Sequence, residues 1–269
     1  MVYGEYVYNP ELLRRIIRLE FGVEAGVLSK RIVISPLPLE EVIPGIEDLL
    51  NTEGIRFKWL HTRDPVLGKA KGNLRLELGG EPYYILFVGR GAIEATDRAW
   101  IIGHDNTVEE ILFVGTAASL KEDLRPGSCN VPLYTLTVLD PSLVYAGLSE
   151  GLPVADTSLV RRVLKIGRRV GCNASSSLHA SVPFFYMETR RFLEYLSSIG
   201  VYTIDMELAP ILRILNSLKK KAVGLVFIED SPLHGIEYTS EEYESIKRSI
   251  HLMKKKILPR IILEFLQSK

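Results

Sequence analysis

Residues 201–230 read VYTIDMELAPILRILNSLKKKAVGLVFIED, and the period of the apolar residues changes twice within them. Tyr202 to Met206 has the form of a short strand. Leu208 to Lys219 places Leu208, Ile211, Leu212 and Leu215 at helical spacing, with Asp205 and Glu207 at the start, where carboxylates are favoured by the helix dipole. Ala222 to Ile228 is an unbroken apolar run, the form of a strand buried on both faces. Strand, helix and buried strand in succession imply a sheet covered by helices, and ligands of such sheets bind in loops at the carboxyl ends of the strands. Two acidic corners stand at such ends here, Asp205-Met206-Glu207 and Glu229-Asp230.

The same alternation extends to both sides. Upstream, Asn9-Pro10 opens a helix with Leu12, Leu13, Ile16, Ile17 and Leu19 on its apolar side, and a strand is expected over Arg31 to Ser35. A helix from Leu39 to Leu50 is expected to stop at Gly54. Three strand-like runs follow, Ile55 to Leu60, Leu74 to Leu78 and Tyr83 to Val88, separated at Asp64-Pro65, Gly72-Asn73 and Gly79-Gly80, as in a meander. Past Gly89-Arg90-Gly91 come a helix, Ile93 to Gly103, and a short strand, Ile111 to Val114, ending in a turn at Gly115-Thr116-Ala117-Ala118-Ser119. The series continues with a strand at Val131 to Val138, a helix at Ser158 to Val170, a strand at Ser175 to Ser181 and a helix at Met187 to Ser198. A long helix, Ser240 to Leu266, closes the chain, with a kink expected at Pro259. The lysine runs 219–221 and 254–256 read as solvated faces. The fold class is α/β: three layers, with a central mixed, mostly parallel β-sheet flanked by helices. One domain over 1–269 is expected, with 1–30 as an N-terminal helical extension.

Charge excludes one class of partner. With 33 basic and 33 acidic residues, the chain has no electrostatic footprint for nucleic acid, so a small ligand is expected. No apolar run reaches membrane-spanning length, and Met1 to Tyr8 lacks the form of a signal peptide, so no membrane partner and a cytoplasmic location are expected. Cys129 and Cys172 are the only cysteines and have no ligand-spaced neighbours, which argues against a structural metal. Gln267 is the only glutamine among many Glu, Lys and Arg, a bias that fits a hot environment and would make a Cys129–Cys172 disulfide less unusual inside a cell.

Four pieces, in order and spacing, carry a resemblance: Val114-Gly115-Thr116-Ala117-Ala118-Ser119-Leu120, Phe185-Tyr186, Asp205-Met206-Glu207-Leu208-Ala209 and Ile228-Glu229-Asp230. From about Arg31 to the C-terminus the chain resembles the nucleoside phosphorylase and nucleosidase superfamily, whose members cleave nucleosides with phosphate or water. The resemblance implies a purine nucleoside substrate, Glu207 holding the ribose 2′- and 3′-hydroxyls, Met206 under the sugar, and Asp230 as the acid protonating a purine nitrogen. It further implies Phe185 stacked on the base with support from Tyr186, Thr116 as an oxyanion contact, and Gly91 with Arg90 in the family's Gly-x-Gly turn. It implies no cofactor beyond phosphate as a co-substrate, and a homo-oligomer, a dimer or hexamer. The chemistry suits these residue types, because breaking the C–N bond creates a cationic sugar and a base needing a proton.

Each piece also has a plain structural reading. Asp205 or Glu207 can serve only the helix N-terminus, Glu229-Asp230 only a turn, and Phe184-Phe185-Tyr186 only packing. The phosphate-using branch has a Gly-Asp-Pro-x-x-Arg-like loop and an arginine where this chain has Ser35-Pro36-Leu37-Pro38 and Phe113. Leu39-Glu40-Glu41-Val42 is closer to the water-using branch, in which Glu41 would position the attacking water. Arg90 is the nearby cation that could serve phosphate. A nucleoside-binding relative with a degenerate phosphate site and no turnover is the alternative.

Overall fold

The computed structural model describes residues 10–23, 28–61, 71–138 and 152–268. The expected cap at Asn9 and the turn at Asp64-Pro65 lie outside them. The expected α/β architecture is observed: strands β1 (Arg31–Ser35), β2 (Phe57–His61), β3 (Lys71–Leu78), β4 (Glu81–Phe87), β5 (Glu110–Ser119), β6 (Cys129–Asn130), β7 (Thr135–Thr137), β8 (Ala174–Ser175), β9 (His179–Ser181), β10 (Thr203–Asp205) and β11 (Lys221–Asp230) form one mixed sheet. Helices α1 (Pro10–Phe21), α2 (Leu39–Val42), α3 (Ile46–Thr52), α4 (Ala92–Gly103), α5 (Thr157–Arg169), α6 (Arg190–Ser198), α7 (Leu208–Ser217) and α8 (Glu241–Gln267) accompany it.

Strand β5 organises the sheet. Its first residues pair in parallel with β1, Glu110 to Ala118 pair in parallel with β11, and its last residues pair antiparallel with β10. Beyond β1 lie β4, β3 and β2, the last three an antiparallel meander as expected from the Gly-rich turns. Burial on both faces explains the unbroken apolar runs: Ile32, Val33 and Ile34 of β1, Ile111 to Val114 of β5 and Val223 to Ile228 of β11, Gly224 included, sit in the core. Each large side chain so buried contributes about 1.5–3 kcal/mol relative to exposure. At the start of β5, Glu110 accepts hydrogen bonds from Arg31 and Arg162. Burial alone would raise its pKa, but the two guanidiniums outweigh it and hold the carboxyl below its usual value.

Several expectations need correction. The helix predicted over Leu39 to Leu50 is two, because Pro44 and Gly45 interrupt it and Gly45 takes φ 80. Gly115 to Ser119 is not a turn. Strand β5 runs through it, and the glycine is needed there because a Cβ would lie 2.8 Å from the Phe113 ring. Lys254 is not on a solvated face but is buried, and Lys220 donates to the carbonyls of Asp105 and Val108. Helix α8 continues through Pro259.

Candidate active site

The three strand ends that meet at β5 define the site. In register, Ala118 of β5 lies between Ile204 of β10 and Asp230 of β11, so the corner at Asp205 and the corner at Asp230 flank it on opposite sides. With neighbouring strands about 4.8 Å apart, the two corners are separated by roughly 10 Å. A cavity of about 840 Å³ opens over them. Its wall includes Glu41, Arg90, Thr116, Phe185, Met206, Glu207 and Asp230, seven of the nine side chains and turns named from sequence. Gly91 reaches the site through its backbone instead. Its N–H donates to Glu207 Oε1 at 2.7 Å, from a φ of 84 that suits glycine. Tyr186 is not brought to the wall; it is exposed and stacks on Phe184 with ring centroids 5.1 Å apart. A cavity of about 490 Å³ lies at the other ends of the strands, walled partly by Lys30, Lys58, Arg75 and Tyr83. It has no comparable gathering of carboxyl groups.

The two acidic residues of the 205–207 corner divide their work. Asp205 is structural: its carboxylate accepts the N–H groups of Glu207 and Leu208, the first donors of α7, and the Ser181 hydroxyl at 2.5 Å. Behind it, His179 Nε2 lies 2.9 Å away but off the line of a hydrogen bond, while Nδ1 contacts the Thr203 hydroxyl, which also accepts from Asn130. Fixing these groups fixes the backbone that aims Glu207 at the cavity. Burial first, and then the charge of Asp205, raise the Glu207 pKa to about 8. Asp205 thus serves the helix N-terminus, whereas Glu207 turns its carboxyl to the Gly91 N–H and the cavity.

Asp230 faces the cavity from the other side. Burial first, then Glu188 and Glu229, raise its pKa to about 7, and burial followed by Asp205 raises Glu188 to about 7 as well. A carboxyl with such a pKa can hold or release a proton near neutrality. Sequence reasoning missed Glu188, because it lies within the helix expected over Met187 to Ser198, whereas α6 begins only at Arg190. It also missed the wall contributed by α8, where Lys254 pairs with Glu229. No motif signals that wall, because Lys254 meets Glu229 only through tertiary packing.

At the rim, Arg90 Nη2 and Glu41 Oε2 are 2.6 Å apart, with about half of each side chain exposed. Phe113, at the position compared with a phosphate arginine, is buried against Gly115 and supplies no donor to the cavity. Among the described residues, no group of three or more His, Cys, Asp or Glu is placed to hold a metal ion, and no helix is long and apolar enough to cross a membrane.

A helix-covered mixed sheet thus gathers carboxyl groups around an open cavity at its strand ends. The chain belongs to the phosphorylase superfamily, whose family model matches residues 30–261. It is similar to the purine nucleoside phosphorylases, DeoD-type, of Anoxybacillus flavithermus and Geobacillus stearothermophilus, with 23% identity to each over 138 residues. That match covers 51% of this chain and 58% of each relative. The protein of the same description from Shewanella denitrificans is 20% identical over 174 residues, 65% of this chain and 74% of that one.

Proposed function

We propose that the protein cleaves the N-glycosidic bond of a nucleoside, with a purine nucleoside preferred. The observation that carries this reading is the convergence of Glu207, Asp230 and Phe185 on one cavity from β10–α7, β11 and the loop before α6. In the reaction, the C1′–N bond breaks with its electron pair moving to the base. Asp230, protonated at the start, gives its proton to a base nitrogen, and the ionised form of Glu207 accepts the ribose 2′- and 3′-hydroxyls and balances the cationic sugar. Phe185, exposed without ligand, stacks on the base, and Met206 packs under the sugar. Thr116 contacts the acceptor oxygen.

Water is the acceptor the site favours. Glu41, Glu188, Asp205, Glu207, Glu229 and Asp230 all border the cavity, and the cations Arg90, Lys247 and Lys254 on the same wall are each paired with a carboxylate. A phosphate dianion would find each of these described wall cations already engaged, whereas water needs no cation. The water oxygen bonds to C1′ and its proton passes to Glu41. Purified protein incubated with adenosine, inosine, methylthioadenosine or uridine, with and without phosphate, should release the free base and the corresponding free sugar in both buffers. Formation of ribose 1-phosphate only when phosphate is supplied would show that phosphate is the acceptor. A cytoplasmic homo-oligomer composed of single-domain subunits is consistent with this reading.

A further inference from the structure

Strand β11 ends irregularly. Ile228 pairs with Ala117 and Asp230 with Ala118, so Glu229 is an extra residue without a partner, a β-bulge at the last step of the strand. In an unbroken strand, successive side chains point to opposite faces. Here Ile228 is fully buried in the core and the next two residues, Glu229 and Asp230, both border the cavity. The bulge therefore aims Asp230. At the bulge, the Glu229 carboxylate accepts from Lys254 Nζ of α8 and from the Tyr238 hydroxyl. The Lys254 side chain is only 6% exposed, while its neighbours Lys255 and Lys256 are exposed. One lysine of a basic run has thus been turned inward to meet a single carboxylate.

We infer that Lys254 and Tyr238 are positioning residues that act on Asp230 through Glu229, locking the bulge that directs the Asp230 carboxyl into the cavity. The role of Asp230 itself rests on the nucleoside-cleaving reading. The physical reason is the penalty on an uncompensated buried charge: without the ammonium, the Glu229 carboxylate must leave its position or recruit water or a proton, and each change releases the bulge. Substrate contacts made by Glu207 and Phe185 come from other elements, so the effect belongs in kcat rather than KM.

The test is steady-state nucleoside cleavage by four proteins. Lys254→Met should lose at least tenfold in kcat with KM within threefold of wild type. Glu229→Gln combined with Lys254→Met leaves no orphaned charge and should recover most of that loss. Tyr238→Phe, a milder change at a half-exposed residue, should lose severalfold in kcat at unchanged KM and serves if Lys254→Met does not fold. A kcat within twofold of wild type for Lys254→Met or for Tyr238→Phe, or a double variant no better than Lys254→Met, overturns the inference. If wild type cleaves no nucleoside, the functional reading fails and the clamp is then tested by a crystal structure of Lys254→Met. A β11 that keeps its bulge at Glu229 there overturns the clamp.

A different observation carries a second inference. The Sγ atoms of Cys129 and Cys172 are 2.7 Å apart in the core, 43 positions apart in sequence. Non-bonded carbon atoms rest about 3.5–4.0 Å apart and sulfur is larger, so two thiols are crowded at this distance. The backbone keeps them together: Cys129 N–H donates to the Asn173 carbonyl, Cys172 N–H to the Gly167 carbonyl, and Cys129 pairs with Ala174. We propose that the pair forms a disulfide tying β6 to the segment between α5 and β8. One thiolate attacks a low-molecular-weight disulfide and releases one thiol. The second thiolate then attacks the mixed disulfide and releases the other, so the two cysteines lose two electrons and two protons to the oxidant. The closed core disfavours the thiolate, since contact with Cys172 and then burial push the Cys129 thiol up, so exchange precedes closure of β6 on β8. Protein refolded with oxidised glutathione, then denatured and alkylated without reductant, should carry no adduct and should yield one peptide pair that separates on reduction. Two alkylated cysteines overturn this proposal.

Discussion

Replacing Asp230 by Asn should stabilise the fold, and should do so more at pH 8 than at pH 5. An Asp unfolded in water has a pKa near 3.9, whereas burial beside Glu188 and Glu229 raises Asp230 to about 7. The sign follows from proton counting. Between the two values the folded state binds more protons than the unfolded state, so stability falls as pH rises from about 4 and levels off above about 7. A difference of about three pH units corresponds to roughly 4 kcal/mol at the plateau, of which roughly 1.5 kcal/mol is already present at pH 5. Partial solvation at the strand end reduces both figures, so the advantage of the variant should grow by about 1–3 kcal/mol between pH 5 and pH 8. Urea denaturation of both proteins at both pH values measures it, and comparing the increments cancels pH-independent effects of the amide. An advantage unchanged between the two values would refute the claim that Asp230 is held as a high-pKa acid. Such a residue weakens the fold in exchange for chemistry, as is common at active sites.

Other outcomes follow from the same geometry. The diol favours the ionised form of Glu207, whose pKa is about 8 without ligand, so nucleoside binding at pH 7 should release protons, detectable as a calorimetric enthalpy that depends on the buffer. Gly91→Ala meets no atom within 4 Å but must hold φ 84 with ψ 154; a stability loss of about 1–3 kcal/mol is expected, with weaker nucleoside binding by titration as the N–H moves off Glu207. In Gly224→Ala the new Cβ would lie 2.5 Å from Leu208 Cδ1. It should lower stability by about 1–3 kcal/mol through overpacking, read by thermal unfolding. Phe185→Ala should leave the unfolding temperature unchanged and weaken nucleoside binding at least fivefold, because the ring is 75% exposed.

Much of this arrangement was legible in the chain itself, for identifiable reasons. Strand β1, helix α5 and the β10–α7–β11 unit were readable because their apolar periods are regular; the Asp156 cap of α5, which accepts from the N–H groups of Ser158 and Leu159, emerged only from the structure. The corners at Glu207 and Asp230 were readable because strand ends are where such sheets bind ligands. The strand through Gly115 was not, since glycine and alanine read as a turn until the Phe113 ring is seen to occupy the space beside the glycine. Nor was the division between Asp205 and Glu207, which depends on Ser181 and Gly91 arriving from other parts of the fold. Lys254 was misread because a run of lysines carries no mark of which one is turned inward.

The central claim is that Asp230 gives a proton to the leaving base of a nucleoside held by Glu207. It is tested most directly by measuring base release from purine nucleosides in phosphate-free buffer at pH 6.5, roughly the upper end of the range where Asp230 keeps its proton, for wild type and Asp230→Asn in parallel. Release by wild type with a loss of about a hundredfold or more in the variant is the predicted result. Equal release by both proteins would contradict the acid role, and no release by wild type over a range of temperatures would contradict the cleavage reading.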